Sequence, residues 1–353
     1  MLNVLPPFRP DAATPAQAHA ALDLGTNNCR LLLATPGGPD GFRVLDSFSR
    51  IVRLGEGLGA SGALSPAAMD RALGALSVCR GKLARRPIRA ARAVATEACR
   101  RASNGALFLR RAEDALGMPI EVISAREEAA LAMESCSPLL DPRFRRALLF
   151  DIGGGSTEIA WIRAPQSPCE APSLIGYVSL PVGVVTLAER PGRPCTTPEG
   201  FAAVVEEVAS RLDAFDAVHC IRQEIRAGGV QLLGTSGTVT TLAGIALDLP
   251  RYSRPAVDGQ VLDTAVADAA LAALFALGTP GMAAHPCIGP ERADFVLPGC
   301  AVYAAIRRTW PTRQLTVCDR GLREGMLLRL MRGEFPAVRR HPSWHQPAAA
   351  ASP

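Results

Sequence analysis

Lysine is almost absent from this chain. Lys82 is the only one, and the rest of the 38 basic residues are arginine. A Walker loop needs the spacing G-x-x-x-x-G-K-[ST], and with neither that spacing nor a suitably placed lysine it is excluded. Aromatic residues make up only 5% and charged residues 20%, while the 32 glycines and 29 prolines follow no period, so neither a coiled coil nor a collagen-like rod fits. The ten cysteines contain no C-x-x-C pair and sit mostly in apolar runs, as at Cys79 and Cys300, which is how reduced core thiols look. The segment Met1 to Ala20 lacks a cationic start followed by a continuous apolar stretch, so no secretory leader is expected. Long apolar runs are missing too. The longest, near Leu262 to Leu277, is broken by Asp263 and Asp268 and reads as a packed helix rather than a membrane span. These absences predict a cytoplasmic protein with no membrane role.

What is present suits a folded enzyme. A chain of 353 residues with 48% hydrophobic side chains can bury a core in each of two domains, which rules out disorder as the whole answer. The net charge of +5 suits a phosphate-rich ligand but is equally what a solvated arginine-rich surface carries.

Short apolar strands alternate with amphipathic helices, the pattern of an α/β protein. Ala21 to Asp23 and Arg30 to Ala34 read as strands joined by a turn at Gly25 to Asn28, with a third strand near Phe42 to Phe48. Ser65 to Leu83 reads as a helix capped by Ser65, with Pro66 in its first turn and Met69, Leu73, Leu76 and Leu83 on one face. The breakers Ser137, Pro138, Asp141 and Pro142 place a domain boundary around 137–146. The second half then opens as the first did: Leu148 to Asp151, a turn at Gly153 to Ser156, and a strand from Glu158 to Ile162. Asp23-Leu24-Gly25-Thr26 and Asp151-Ile152-Gly153-Gly154 form a weak internal repeat, which would set two such turns across one cleft. The division expected is a flexible 1–19, domains at 20–137 and 146–332, and a disordered tail at 336–353.

Three loops carry the chemistry. Gly153, Gly154 and Gly155, followed by Ser156, predict a backbone at positive φ whose amides turn towards an anion, with Asp151 and Glu158 as oxygen ligands for a divalent cation. Alone, this is also what a glycine-rich hairpin looks like. The second copy at Asp23 to Asn28 and a third loop, Gly234-Thr235-Ser236-Gly237-Thr238, weaken that simpler reading. The third loop follows a strand and opens a helix, where free amides favour phosphate; its Thr and Ser hydroxyls serve equally as helix caps. Arg100 directly follows a strand. Glu127 and Glu128 begin a helix, where glutamates ordinarily complement the dipole; one of them facing a cleft would be a general base, and spacing does not choose between them.

These segments occur in a recognisable order. Asp23 to Arg30, Arg53 to Leu58, Ala95 to Arg100, Ile123 to Ala129, Asp151 to Glu158, Ser179 to Gly183, Gly234 to Thr238 and Asp319 to Gly325 together resemble the exopolyphosphatase and guanosine pentaphosphate phosphatase (Ppx/GppA) family over residues 20 to 332. The resemblance implies an α/β fold of two ribonuclease-H-like domains, of the actin, sugar kinase and Hsp70 superfold, with a cleft between them. It implies Mg2+-dependent hydrolysis of a terminal phosphate from inorganic polyphosphate or guanosine pentaphosphate (pppGpp to ppGpp), with or without a monovalent cation. Glu128 matches the catalytic base, Asp151 and Glu158 match acidic positions near the metal, and Asp23 is a further contributor. Thr26, Asn27, Asn28, Gly153 to Ser156 and Gly234 to Thr238 would cradle phosphates, with Arg30 and Arg100 neutralising charge. No nucleic-acid polymer or membrane is implied as a partner, and family precedent suggests a homodimer.

The departures are Ser124-Ala125 in place of Ser-Gly before the glutamates, Thr26 and Asn28 in place of two serines, and Arg320 where a small residue is common. The chain stops near 353, without the C-terminal region and HD-like domain of larger members, from which weaker processivity and dimer contact are expected. Two readings from other classes stand beside the hydrolase: an ATP-dependent sugar or acetate kinase-like phosphotransferase, and a non-catalytic module that binds guanosine tetra- or pentaphosphate.

Overall fold

The fold was determined as a computed structural model, in which residues 17–38, 40–167, 170–192 and 194–335 are described. The first half carries β1 (Ala18–Leu24), β2 (Asn28–Pro36), β3 (Phe42–Ile51), α1 (Leu58–Ser61), α2 (Pro66–Ala84), β4 (Ile88–Ala95), α3 (Glu97–Arg101), α4 (Gly105–Leu116), β5 (Glu121–Val122) and α5 (Ala125–Cys136). The second carries β6 (Arg146–Ile152), β7 (Thr157–Arg163), β8 (Ser173–Leu180), α6 (Val184–Ala188), α7 (Pro198–His219), α8 (Ile221–Arg226), β9 (Val230–Thr235), α9 (Gly237–Ala246) and α10 (Arg254–Val257). It is completed by β10 (Val261–Asp263), α11 (Thr264–Ala284), α12 (Ala293–Thr309), β11 (Gln314–Cys318) and α13 (Leu322–Met331).

Local chemistry accounts for many of these boundaries. Ser65 Oγ accepts from the Ala68 amide at 3.2 Å with Pro66 at the first helical position, so α2 starts where the sequence predicts. Cys220 takes a left-handed conformation (φ 53°), which ends α7 and separates it from α8. β1 begins at Ala18, inside the segment expected to be flexible; residues 1–16 and the expected disordered tail lie outside the described residues.

The internal repeat is a repeat of topology. The first sheet has the order β3-β2-β1-β4-β5, and the second has β8-β7-β6-β9-β11 with β10 added at its edge. In each, the first strand pairs antiparallel with the second and parallel with the fourth. Two sheets with this ribonuclease-H-like order and flanking helices make the α/β fold of the actin-like superfold. The carboxyl ends of the parallel strands, where ligands bind in such sheets, face the same space.

Two helices cross between the halves. The α13 side chains Leu322, Met326 and Leu327 are buried against Ala21, Leu32 and Val94 of the first sheet, although α13 follows the second. The α5 side chains Ala129, Ala132, Met133 and Cys136 pack on Leu149, Ala160 and Leu233 of the second sheet, although α5 follows the first. The two helices meet backbone to backbone. A Cβ at Gly325 would stand 2.2 Å from the Leu131 carbonyl oxygen, so only glycine permits the approach.

α11 has only one packed face, Ala267, Ala270 and Leu274, and Gly278 (φ 59°) kinks it just before Pro280. By length and composition it could cross a bilayer, with a mean hydropathy of 1.5 over 18 residues, of which 22% are buried. The packed helix expected at Leu262 to Leu277 is thus a half-exposed one.

Candidate active site

A cleft of about 800 Å³ lies between the sheets. Four loops wall it: Gly25 to Asn28 from the β1–β2 turn, Gly153 to Ser156 from β6–β7, Thr235 to Thr238 from β9–α9, and Asp319 to Arg323 from β11–α13. Strand register sets its floor. Asp23 stands opposite Arg30, and Asp151 opposite Glu158, so where the second repeat carries a carboxylate pair the first carries an acid and a guanidinium. On the next parallel strand Asp151 neighbours Thr235.

The carboxylates are held away from water and close to one another. Burial pushes Asp151 up to about 7, Glu158 adds to this, and Arg30 opposes it. Burial also raises Asp23 and Glu158; Arg30 and Arg323 pull Asp23 back, while hydrogen bonds from Ser156 and Ser179 oppose the rise of Glu158. Ser179 Oγ donates to Glu158 Oε1 at 2.8 Å. Carboxylates this buried and this close to one another mark a candidate functional site.

The structure chooses between the two helix-start glutamates. Glu127 accepts from Arg92 Nη2 at 2.6 Å, away from the cleft, and its amide donates to the cap Ser124 Oγ at 3.2 Å. Glu128 is buried and lines the cleft, accepting from Arg100 Nη1 at 2.6 Å. Its carboxyl is pushed up to about 8, by burial first and then by Glu158, against the pull of Arg100. Ala125, which replaces the expected glycine, sits in the first turn of α5 without positive φ and so causes no strain.

Three expectations need correcting. Arg100 is not among the cleft-lining residues: its guanidinium is committed to Glu128, to Glu97 at 2.5 Å and to the Ile123 carbonyl at 2.6 Å. Gly234 lies inside β9 and does not line the cleft either; a Cβ there would meet the Phe150 ring at 2.4 Å, so its smallness serves packing. Gly153, Gly154 and Gly155 do not adopt positive φ. They are needed because the first loop comes so close: a Cβ on Gly155 would lie 2.8 Å from Thr26 Oγ1, and one on Gly154 would lie 3.1 Å from the Asn27 amide nitrogen. The remaining residues singled out, Asp23, Thr26, Asn27, Asn28, Arg30, Asp151, Ser156, Glu158, Thr235, Ser236, Gly237 and Thr238, all line the cleft together with Glu128.

Several cleft residues escape a sequence reading. Arg50, Arg292 and Arg323 join Arg30 along the walls. Arg292 donates to the Gly237 carbonyl at 2.8 Å and to Thr241 Oγ1 at 2.9 Å, bracing the third loop, while burial and then Arg30 lower its pKa. Burial lowers that of Arg323 as well. Tyr252 is hydrogen-bonded to Asp319, and Arg320 pairs with Asp258 at 2.9 Å and Asp40 at 3.0 Å. The Asp319 to Gly325 segment is a visible motif, but nothing local says that Arg323 points into a cleft.

The model of the Ppx/GppA phosphatase family matches residues 35–334. The chain belongs to the Ppx/GppA phosphatase family. Among solved structures, a Ppx/GppA family member from Aquifex aeolicus is 25% identical, with a TM-score of 0.72, over 91% of this chain and 99% of that one. An exopolyphosphatase-like protein is 27% identical, with a TM-score of 0.77, over 90% and 100%. An exopolyphosphatase from Cytophaga hutchinsonii, at 23% identity and a TM-score of 0.78 over 90% and 98%, shares the fold. The first glycine-bearing loop, Gly25 to Asn28, precedes the matched range, and it is tertiary structure that joins it to the other cleft loops.

Ppx/GppA phosphatases generally depend on a divalent cation. Among the described residues no cluster of three or more His, Cys, Asp or Glu is arranged around a metal position. Mg2+ seldom needs one, because it keeps waters and takes one or two carboxylates together with substrate phosphates. The facing pair Asp151 and Glu158 supplies the two carboxylates, both buried in the cleft floor and raised in pKa first by that burial.

Proposed function

We propose that this phosphatase removes the terminal phosphate of inorganic polyphosphate or of guanosine pentaphosphate, with Glu128 as the general base. The amides and hydroxyls of Thr26 to Asn28, Gly153 to Ser156 and Thr235 to Thr238 hold the phosphate oxygens, and Arg30, Arg292 and Arg323 balance their charge. Glu128, once ionised, accepts a proton from a water in line with the terminal phosphorus. The water oxygen bonds to phosphorus, the bridging P–O bond breaks, and its electron pair leaves with the shortened chain. Mg2+ held by Asp151 and Glu158, with Asp23 nearby, would supply charge neutralisation at the phosphate oxygens. Such phosphoryl transfer depends mainly on positioning and electrostatics, which a cleft with an acidic floor and arginine walls provides.

The observation that carries this reading is that Glu128 is buried, has a raised pKa and lines the same cavity as the loops Thr26 to Asn28, Gly153 to Ser156 and Thr235 to Thr238. The reading also takes the enzyme to act in the cytoplasm, in keeping with described cysteines that are free thiols, all buried except Cys220. Orthophosphate release with Mg2+ from long-chain polyphosphate and from guanosine pentaphosphate, measured in parallel for the wild type and Glu128→Gln, tests it. Release from at least one substrate, lost in the variant, is expected. Release from neither would overturn it, and transfer from ATP to a sugar or to acetate would replace it with a phosphotransferase.

A further inference from the structure

A second concavity lies on the outside of the second half, at the edge of its sheet. It is a shallow groove of about 490 Å³ between β8, the end of α7 and the start of α5. β8 is an end strand: β7 pairs with one side, and among the described residues no strand pairs with the other. An eight-residue strand with a free edge exposes backbone donors and acceptors to any extended chain, and folded proteins usually blunt such edges with charge or proline. β8, Ser173-Leu-Ile-Gly-Tyr-Val-Ser-Leu180, has neither.

Apolar side chains gather at this edge. Ile175 is 38% exposed, Tyr177 is 41% exposed, and Val218 on α7 is 75% exposed, the highest among the large hydrophobic residues described. His219 rests on the backbone at Gly176, where a Cβ would meet its ring nitrogen Nε2 at 2.3 Å. The charged side chains, Arg126 and Arg211, are of one sign. Arg126, Arg211 and His219 line the groove and no carboxylate does. Arg211 is paired with Glu207 at 3.1 Å, whereas Arg126 has no ion-pair partner within 4.0 Å among the described residues.

We propose that the β8 edge is a docking site for an extended acidic segment of a partner protein, which adds to the sheet as a further strand. Main-chain hydrogen bonds to β8 supply the affinity, carboxylates of the segment meet Arg126 and Arg211, and its apolar side chains cover Ile175, Tyr177 and Val218. A second copy of this chain is a poor occupant. A two-fold pairing of β8 with itself sets these arginines against each other, the free edge strand β3 carries Arg43 and Arg50, and the edge strand β10 has three residues.

The probe is a synthetic, fluorescently labelled Glu-Glu-Val-Val-Glu-Glu-Tyr peptide, whose pairs place a carboxylate and an apolar side chain on each face of an added strand, with the Lys-for-Glu analogue as control, titrated against the full chain. The acidic peptide is expected to bind at least about tenfold more tightly than the lysine analogue, and to slow amide exchange across 173–180. Val218→Asp, and the pair Arg126→Glu with Arg211→Glu, each weaken binding by about tenfold or more. Val218 lines no part of the cleft, so phosphate release by Val218→Asp stays at the wild-type rate. The proposal is overturned by no acidic-peptide binding up to about 1 mM, by equal binding of the lysine analogue, by affinity indifferent to these substitutions, or by a dimer in solution that Val218→Asp dissociates.

Discussion

Glu128→Gln is expected to make the protein more stable while destroying its activity, and to do so only above a definite pH. Glu128 is 6% exposed, and its pKa moves from an ordinary 4.5 to about 8. Below about pH 4.5 the side chain is protonated in both folded and unfolded chains and costs nothing. Between 4.5 and 8 the unfolded chain releases the proton while the folded chain keeps it, so stability falls as pH rises; above 8 the folded state bears the whole cost of the buried charge. At about 1.4 kcal/mol per unit the ceiling is about 4 to 5 kcal/mol, and relaxation of the cleft leaves an expected gain of about 1 to 3 kcal/mol for the neutral isostere at pH 8.5. Thermal unfolding in chelator, so that no cation screens the carboxylates, reads this as a midpoint a few degrees higher for Glu128→Gln at pH 8.5, narrowing towards zero by pH 5. Loss of a general base lowers kcat by about 10² to 10⁴ in the same variant. A stability difference that is flat with pH, or a variant less stable than wild type at pH 8.5, would refute the burial argument; unchanged kcat would refute the role of Glu128 as base.

Other consequences concern the loops and the crossing helices. Gly155→Ala sets a methyl 2.8 Å from Thr26 Oγ1, which forces the first and second cleft loops apart; a loss of about 1 to 3 kcal/mol in urea unfolding and a larger fractional loss of kcat are expected. Gly325→Ala drives a methyl into the Leu131 carbonyl of α5, so its cost, at least about 2 kcal/mol by thermal unfolding, exceeds that of an exposed helix Gly→Ala change, which would normally stabilise. Arg30→Gln removes the cation that opposes the rise of both Asp23 and Asp151. Mg2+ activation of phosphate release should then need a higher pH than in wild type, and an unshifted activation profile would rule out that role for Arg30.

Sequence alone determined the parts whose signal is local. The cap at Ser65, the apolar spacing of α2, and the two Asp-x-Gly turns lie within a few residues of what they organise, so they predict strands, helices and the paired halves. It missed β11, a five-residue strand that owes its place to pairing with β9 and β10. Only the tertiary structure decided which of two adjacent glutamates is buried, because neighbouring positions on a helix point in different directions and burial depends on the sheet beneath. It also set Arg100 as the partner of Glu128 rather than a cleft cation, brought Arg292 and Arg323 to the walls, and showed that the glycine triplet answers to the nearness of Thr26 and Asn27 rather than to φ. Each of these depends on distances between segments far apart in the chain. Hydropathy period carries no information about such distances until α5 and α13 have crossed and the cleft has closed around its loops.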